Sequence, residues 1–417
     1  MTAPLAAAEA ADRVLLDVRR QPALRIPLDD ALGSVLAEDV ASSIDIPAYT
    51  NSAMDGYAAR AQDVRGASES KPVRLTVVEH LPAGRFPTQV IHAGQCARIF
   101  TGAPLPEGAD SVIRQEDTDE GASTVTIVKD RDMGVNTRRA GEDIKKGSTV
   151  LTEGTELGPA HLGVLASLAI AHPLVYRRPR IGILGSGDEI VDVDQPEEIL
   201  SGRKIASSNT HALVAMVRQS GGEPVNLGIA ADTPESLREH LGRAVDCDLL
   251  VTSAGISVGE HDYVRSVLEE LGATQRFWKL RMRPGAPVGF GLLGEVPWIG
   301  LPGNPVSTMV TYELFVHPAI RKMMGHRRPY RRNTPVRMAE AISLKPKLQH
   351  FLRAIVTESP QGPEARLTGP QGSGILTSMV RANALLVIPE GQQETPVGTM
   401  VQAIVLNDPV HEARPGF

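Results

Sequence analysis

Apolar and polar positions alternate along this chain with two different periods. Near the start, Leu5, Ala8, Val14, Leu15 and Val18 share one side of a 3.6-residue repeat, which predicts an amphipathic helix over residues 5–20. From 27 to 143 the period shortens. The runs VRLTVVEHL, QVIHAGQCARIF, SVIRQEDT and STVTIVKD alternate with Gly/Pro turns, as in an all-β module. A second helix, GPAHLGVLASLAI, follows inside 144–179 with Pro159 at its opening.

Between 180 and 325, strand and helix signals take turns. RIGIL, PVNLGIA and DLLVTS read as strands, and NTHALVAMVRQSG, TPESLREHLGRAV and HDYVRSVLEELG as helices, the first beginning at Asn209. FWKLRM, APVGFGLL and PWIGL continue the strands, and a long helix starts at Asn304-Pro305. Such alternation predicts a mostly parallel sheet with helices on both faces. Past 329, PVRMAEAI, HFLRAIVTE, ALLVIP and TMVQAIVL return to the β pattern. The expected fold is multi-domain α/β: a doubly wound, mostly parallel sheet domain, two β-rich domains and a small helical linker domain. The boundaries are 1–26 with 144–179 for the helical part, 27–143 and 329–417 for the β-rich parts, and 180–328 for the α/β part.

The length of 417 residues fits several domains at roughly 150 residues each. A net charge of -6 lacks the basic excess that phosphate neutralisation on nucleic acid demands, so no nucleic-acid partner is expected. Two cysteines, Cys96 and Cys247, cannot build a disulfide framework or a four-thiolate metal site. Glu9 and Asp12 interrupt any signal-peptide core, and no run approaches the ~18 apolar residues of a membrane span. A soluble cytoplasmic protein without a membrane partner is the expectation.

Open parallel sheets bind ligands beyond the carboxyl ends of their strands. Three glycine-bearing turns fall there: GSGDEIV (185–191), TSAGISVGEHDY (252–263) and LPGNPVS (301–307). Glycines often only close tight turns, but three at one edge point to an anion site. Ile190 occupies the third glycine's place in G-x-G-x-x-G, and G-K-[ST] is absent, so the usual dinucleotide and P-loop sites are excluded. Gly255-Ile256-Ser257-Val258-Gly259 has serine-hydrolase spacing, yet it runs into charged Glu260-His261-Asp262. Glu189, Asp232 and Asp262 fall at the same edge, where carboxylates beside an anion can hold Mg²⁺. Asp232-Thr233-Pro234-Glu235 also reads as a capping box, and Asp262 as a helix cap. Lys279, Arg281 and Arg283 alternate as on one face of one strand, ahead of Pro284-Gly285. In the first β region, NSAMDGYA (51–58) and FTGAPLPEGAD (100–110) are polar turns carrying Asp55 and Thr101.

These segments, with RRAGEDI (138–144), WKLRMRPGAPVGFG and GSGILTSMVRANALLVIP (372–389), occur in an order that resembles the molybdopterin molybdenumtransferases, the MoeA family that includes the gephyrin E domain. The resemblance implies insertion of molybdate into adenylylated molybdopterin with release of AMP, in a homodimer whose active cleft lies between protomers. It assigns catalytic roles to Asp55, Thr101, Glu189, Asp232 and Asp262, with Glu189 and Asp262 as Mg²⁺ ligands. Lys279, Arg283, Pro302, Pro305, Ser307, Arg353 and Ser373 would bind substrate. It also implies an upstream molybdopterin adenylyltransferase as supplier. Ala254, Arg283 and Ala286 stand where the family usually has glycine, lysine and lysine. A gephyrin-type scaffold and a serine hydrolase using the GISVG loop are the alternative functions.

Overall fold

The computed structural model describes residues 4–254, 263–345 and 347–407. Contacts within the chain gather into two compact units. One comprises residues up to 37, 154–158 and those from 172 onward; the other comprises 38–153 and 159–171.

The larger unit is built on a six-stranded sheet. Its spatial order is Glu223–Ala230, Arg180–Ser186, Leu249–Ser253, Val296–Leu301, Pro287–Leu293, Thr274–Lys279. The first four strands are parallel, Pro287–Leu293 runs antiparallel to them, and Thr274–Lys279, antiparallel to that strand, runs in the direction of the first four. Side chains alternate between its faces as the two-residue strand period requires. Leu249, Val251 and Ile299 enter the core with Leu213 and Val217 of helix Ser208–Gln219 and with Val306, Val310 and Phe315. Leu250 and Trp298 enter the opposite core, with Leu237 and Leu241 of helix Pro234–Gly242 and Val264, Val267 and Leu268 of helix Tyr263–Glu270. Helices therefore cover both faces, and the loops at the carboxyl edge remain available for a ligand. Helix Ala7–Asp17 buries Ala7, Ala10, Ala11 and Val14 against the first of these cores, so Ala8, expected on the apolar side, is solvent-exposed.

The chain does not run from Lys279 to Arg283 as one strand. The first segment stops at Lys279, Leu280 bridges Leu5, and Met282–Arg283 pairs with Gln349–Thr357 in a different sheet. Arg281 instead pairs with Glu390 at 3.0 Å. The three basic side chains thus do not form the single row that alternation suggested. The second sheet orders Gln349–Thr357, Glu364–Leu367, Asn333–Met338, Met400–Val405 and Ala384–Ile388 side by side. The last of these pairs back onto the first, which closes a small barrel. Its interior holds Val336, Met338, Leu352, Leu386, Ile388 and Val401.

The smaller unit carries a five-stranded sheet in the order Ser111–Arg114, Gly56–Ala59, Gln95–Ile99, Val73–Leu81, Thr124–Ile127. Tyr57, Leu75, Cys96, Ile113 and Ile127 fill one side, and Ala58, Leu81, Ile99 and Val112 the other. Gly56 is required at the head of its strand, since a Cβ there would lie 2.0 Å from the Ile113 carbonyl oxygen. Helix Pro159–Ser167 also belongs to this unit. Among the described residues, no helix is long and apolar enough to cross a membrane.

Candidate active site

Three strands of the larger unit end together, at Ser186, Ser253 and Leu301. The loops that follow them, with the start of helix Ser208–Gln219, enclose a cleft of about 460 Å³. Ser186, Glu189, Asn209, Ser253, Pro302 and Pro305 are among the residues lining it. The side chain of Asn209 joins three of these segments. Its Nδ2 donates to Ser253 Oγ at 2.9 Å and to the Gly303 carbonyl at 2.7 Å. One amide thereby fixes the spacing between the end of a central strand, a helix start and the LPGNP turn.

The LPGNP turn is braced from inside. Thr308 Oγ1 donates to the Pro302 carbonyl at 2.5 Å, and Ser307 is only 4% exposed. Pro305 opens the helix, where a missing N–H costs nothing and the fixed φ is already helical. The next N–H, of Val306, donates to the Ser373 carbonyl at 3.1 Å. The barrel loop carrying Ser373 is thus seated on this helix start. Behind that loop lies Arg353, which is 1% exposed. Its Nε donates to Ser378 Oγ at 3.0 Å and its Nη2 to the Gly372 carbonyl at 2.9 Å. Burial pulls its guanidinium down to about 10. In this structure Arg353 therefore braces the Ser373 loop from within.

The turn after Arg283 presses on the same helix. Gly285 has φ +91°, and an added Cβ would sit 2.4 Å from Thr311 Cγ2. Lys279 and Arg283 are exposed, and Lys279 lies in register with Pro287, a cleft-lining residue.

The carboxylates divide. Glu189 lines the cleft, and its side chain makes no hydrogen bond or ion pair with the described residues. Asp188 and Asp232 instead cap one another: Asp232 N donates to Asp188 Oδ1 at 3.0 Å, and Asp188 N to Asp232 Oδ2 at 3.4 Å. The capping-box reading of Asp232 is corrected, because Thr233 is the N-cap and accepts from Ser236 N. Asp262 and the GISVG segment lie outside the described residues. Among those described, no group of three potential metal ligands is clustered.

In the smaller unit, strand pairing brings NSAMDGYA and RIFTGAP together. The Thr101 N–H and hydroxyl both donate to Asp55 Oδ1 at 2.8 Å. These bonds, the backbone one foremost, hold the Asp55 carboxyl below the usual aspartate range, with the Arg98 charge assisting. Arg98 lies 4.9 Å from the centres of both the Tyr57 and Phe100 rings, and donates to Gln115 Oε1 at 2.6 Å. Such a sandwiched guanidinium is a rigid, oriented positive charge. Asn209 and Arg98 both escaped sequence reasoning. Asn209 had one visible signal, its place at a predicted helix start, but its side chain serves neighbouring loops and does not cap.

A mostly parallel sheet with a cleft at its carboxyl edge, lined by hydroxyls, an amide and the Glu189 carboxylate, is the anatomy of an α/β enzyme that binds its ligand beyond the strand ends. Three family profiles match the chain in succession: "MoeA N-terminal region (domain I and II)" over 5–169, "Probable molybdopterin binding domain" over 182–322, and "MoeA C-terminal region (domain IV)" over 335–406. The chain belongs to the MoeA family of molybdopterin molybdenumtransferases and is a transferase of molybdenum cofactor biosynthesis. It is 36% identical over 392 residues to a molybdopterin molybdenumtransferase of Nostoc sp., covering 91% of this chain and 87% of that one. The Bacillus subtilis relative of that name is 32% identical over 415 residues, 97% and 95% of the two chains. A crystal structure of the molybdopterin biosynthesis moeA protein from Pyrococcus horikoshii OT3 superposes with a TM-score of 0.82 at 30% identity, covering 97% of this chain and 100% of that one.

Proposed function

We propose that this enzyme inserts molybdate into adenylylated molybdopterin and releases AMP. The observation that carries the reading is the Asn209-braced cleft inside the segment matching a molybdopterin-binding domain. In this reaction the dithiolene sulfurs replace oxygen on molybdenum, and the phosphoanhydride is hydrolysed. Lys279 and Arg283 would offset the negative charge of the phosphates, and the Ser186 and Ser253 hydroxyls would hydrogen-bond their oxygens. The hydroxyl and amide groups of the lining suit a pterin. Glu189 fits as a ligand for Mg²⁺, because one or two protein carboxylates plus substrate phosphates commonly hold that ion. Asp262 is expected to be the second carboxylate. Mg²⁺, when bound, would neutralise charge on the phosphoanhydride oxygens.

The family resemblance supports two extensions. The first is a homodimer in which Asp55 and Thr101 of one copy serve the cleft of the other. The second is a cytoplasmic setting with an upstream molybdopterin adenylyltransferase as supplier. The scaffold and hydrolase readings draw nothing from relatives that are named as transferases.

The test combines purified protein, adenylylated molybdopterin, molybdate and Mg²⁺, and follows AMP. Molybdate-dependent release that Glu189→Gln abolishes is expected, and release indifferent to molybdate rejects the reading. Mixing inactive Asp55→Asn with inactive Glu189→Gln should restore about one quarter of the activity, because half the dimers are mixed and each regains one intact site. No recovery after subunit exchange rejects the shared cleft.

A further inference from the structure

A second polar cavity, which shares no lining residue with the cleft, lies where the long helix gives way to the barrel. Residues 326–332, His-Arg-Arg-Pro-Tyr-Arg-Arg, connect the helix ending at Met323 to strand Asn333–Met338. Beside this connection opens a cavity of about 340 Å³. Its wall includes Gln219, His317, Arg321, Arg331 and Arg332, and no carboxylate among the described residues lines it. Three guanidinium groups therefore share one small space without an acid inside it.

Two of the three are held from behind. Arg331 donates through Nε to Glu313 Oε2 at 2.5 Å and through Nη1 to the Leu406 carbonyl at 3.0 Å. Arg321 donates to Glu156 at 3.0 Å. These bonds orient the groups and leave further N–H donors, since a guanidinium carries five. Arg332 is exposed and has no ion pair with any described residue. The imidazole is placed with equal care. The helix widens by one residue over Tyr312–Val316, so the His317 N–H reaches the Tyr312 carbonyl five positions back. Wide turns of this kind occur often at functional sites. His317 is 7% exposed, and its Nδ1 lies 3.0 Å from Ser220 Oγ, which also meets the Tyr312 hydroxyl at 2.9 Å. Nε2 is left as the ring nitrogen with no partner among the described residues.

We propose that this cavity binds a phosphate-type oxyanion, either free inorganic phosphate or the phosphate of a nucleotide. Guanidinium forks match tetrahedral oxyanions in geometry as well as charge. An anion here would bridge Arg321 of the long helix to Arg332 at the entry of the barrel. The inference is independent of the reaction assigned to the cleft.

Calorimetry on the full chain tests it, with inorganic phosphate and AMP titrated separately. The background is Lys279→Gln/Arg283→Gln, which removes the two cations assigned above to phosphates in the cleft. Saturable phosphate binding should persist in that background. Adding Arg332→Gln should weaken it roughly tenfold, and Arg332→Lys, which keeps the charge but loses the fork, should fall between. AMP binding tighter than phosphate assigns the site to a nucleotide, and equal or weaker binding assigns it to the free ion. The proposal is overturned if the background protein shows no saturable binding of either ligand, or if Arg332→Gln leaves it unchanged.

Discussion

Replacing Gly285 with alanine isolates what holds the Arg283 turn against the cleft helix. Two costs add. At φ +91° an L-residue is strained by about 1–2 kcal/mol. The new Cβ, 2.4 Å from Thr311 Cγ2, overpacks the contact for about 1–3 kcal/mol more. A stiffer unfolded chain offsets about 0.5–1 kcal/mol, which leaves a net loss of about 1–4.5 kcal/mol. The second cost can be removed alone. Thr311→Ser deletes Cγ2 but keeps the hydroxyl that donates to the Ser307 carbonyl at 2.7 Å. The next atom met by the new methyl group would then be Met282 Cε at 3.6 Å, an ordinary contact. The pair should therefore couple by about 1–3 kcal/mol in a double-mutant cycle. Urea unfolding followed by tryptophan fluorescence reads this directly, because the chain's two tryptophans, Trp278 and Trp298, stack 5.7 Å apart in the same sheet. Losses that simply add in the cycle, with no coupling between the two positions, would refute the steric account.

Asn209→Ala should lose about 1–3 kcal/mol of stability with its two hydrogen bonds. Asn209→Asp should raise the KM of AMP release further than Ala does, since a carboxylate would face the Gly303 carbonyl and repel phosphate; equal KM values would remove Asn209 from the ligand's surroundings. Asp55 titrates lower folded than unfolded, so its contribution to stability is complete above the unfolded aspartate pKa of about 4 and is lost as pH falls through the folded value. The melting difference between the natural protein and Asp55→Asn, followed by calorimetry, should accordingly be flat near neutrality and shrink below about pH 4; a gap constant into acid contradicts the Thr101 bonds. Arg353→Met should cost about 1.5–3 kcal/mol and speed proteolysis within 369–377, with partial rescue by Lys. Cleavage no faster than in the natural protein would show that the loop is held by something else.

What the residues disclosed in advance is what depends on near neighbours. The alternation of Leu249, Leu250 and Val251 between two cores follows from the strand period, and Pro159, Pro234 and Pro305 mark helix starts because proline suits that position. Features that need distant partners were illegible. The period of Lys279, Arg281 and Arg283 is real, but Leu280 leaves the sheet for Leu5, and no local signal announces that exit. Thr233 displaced Asp232 as cap once Asp188, 44 residues earlier, engaged the aspartate backbone. The LPGNPVS and GSGDEIV loops could be placed at the sheet edge from sequence, whereas the amide that ties their surroundings together emerged only with the fold.

Met282–Arg283 continues from the last strand of the α/β sheet and at once becomes an edge of the barrel. The barrel is thereby geared to the cleft twice: through this strap beside Arg283, and through the Ser373 carbonyl on the Val306 N–H. Any slip of the barrel would drag both walls at once. Substitutions buried in the barrel interior, far from any reacting atom, should for that reason register as changes in catalysis before they register as loss of the native state.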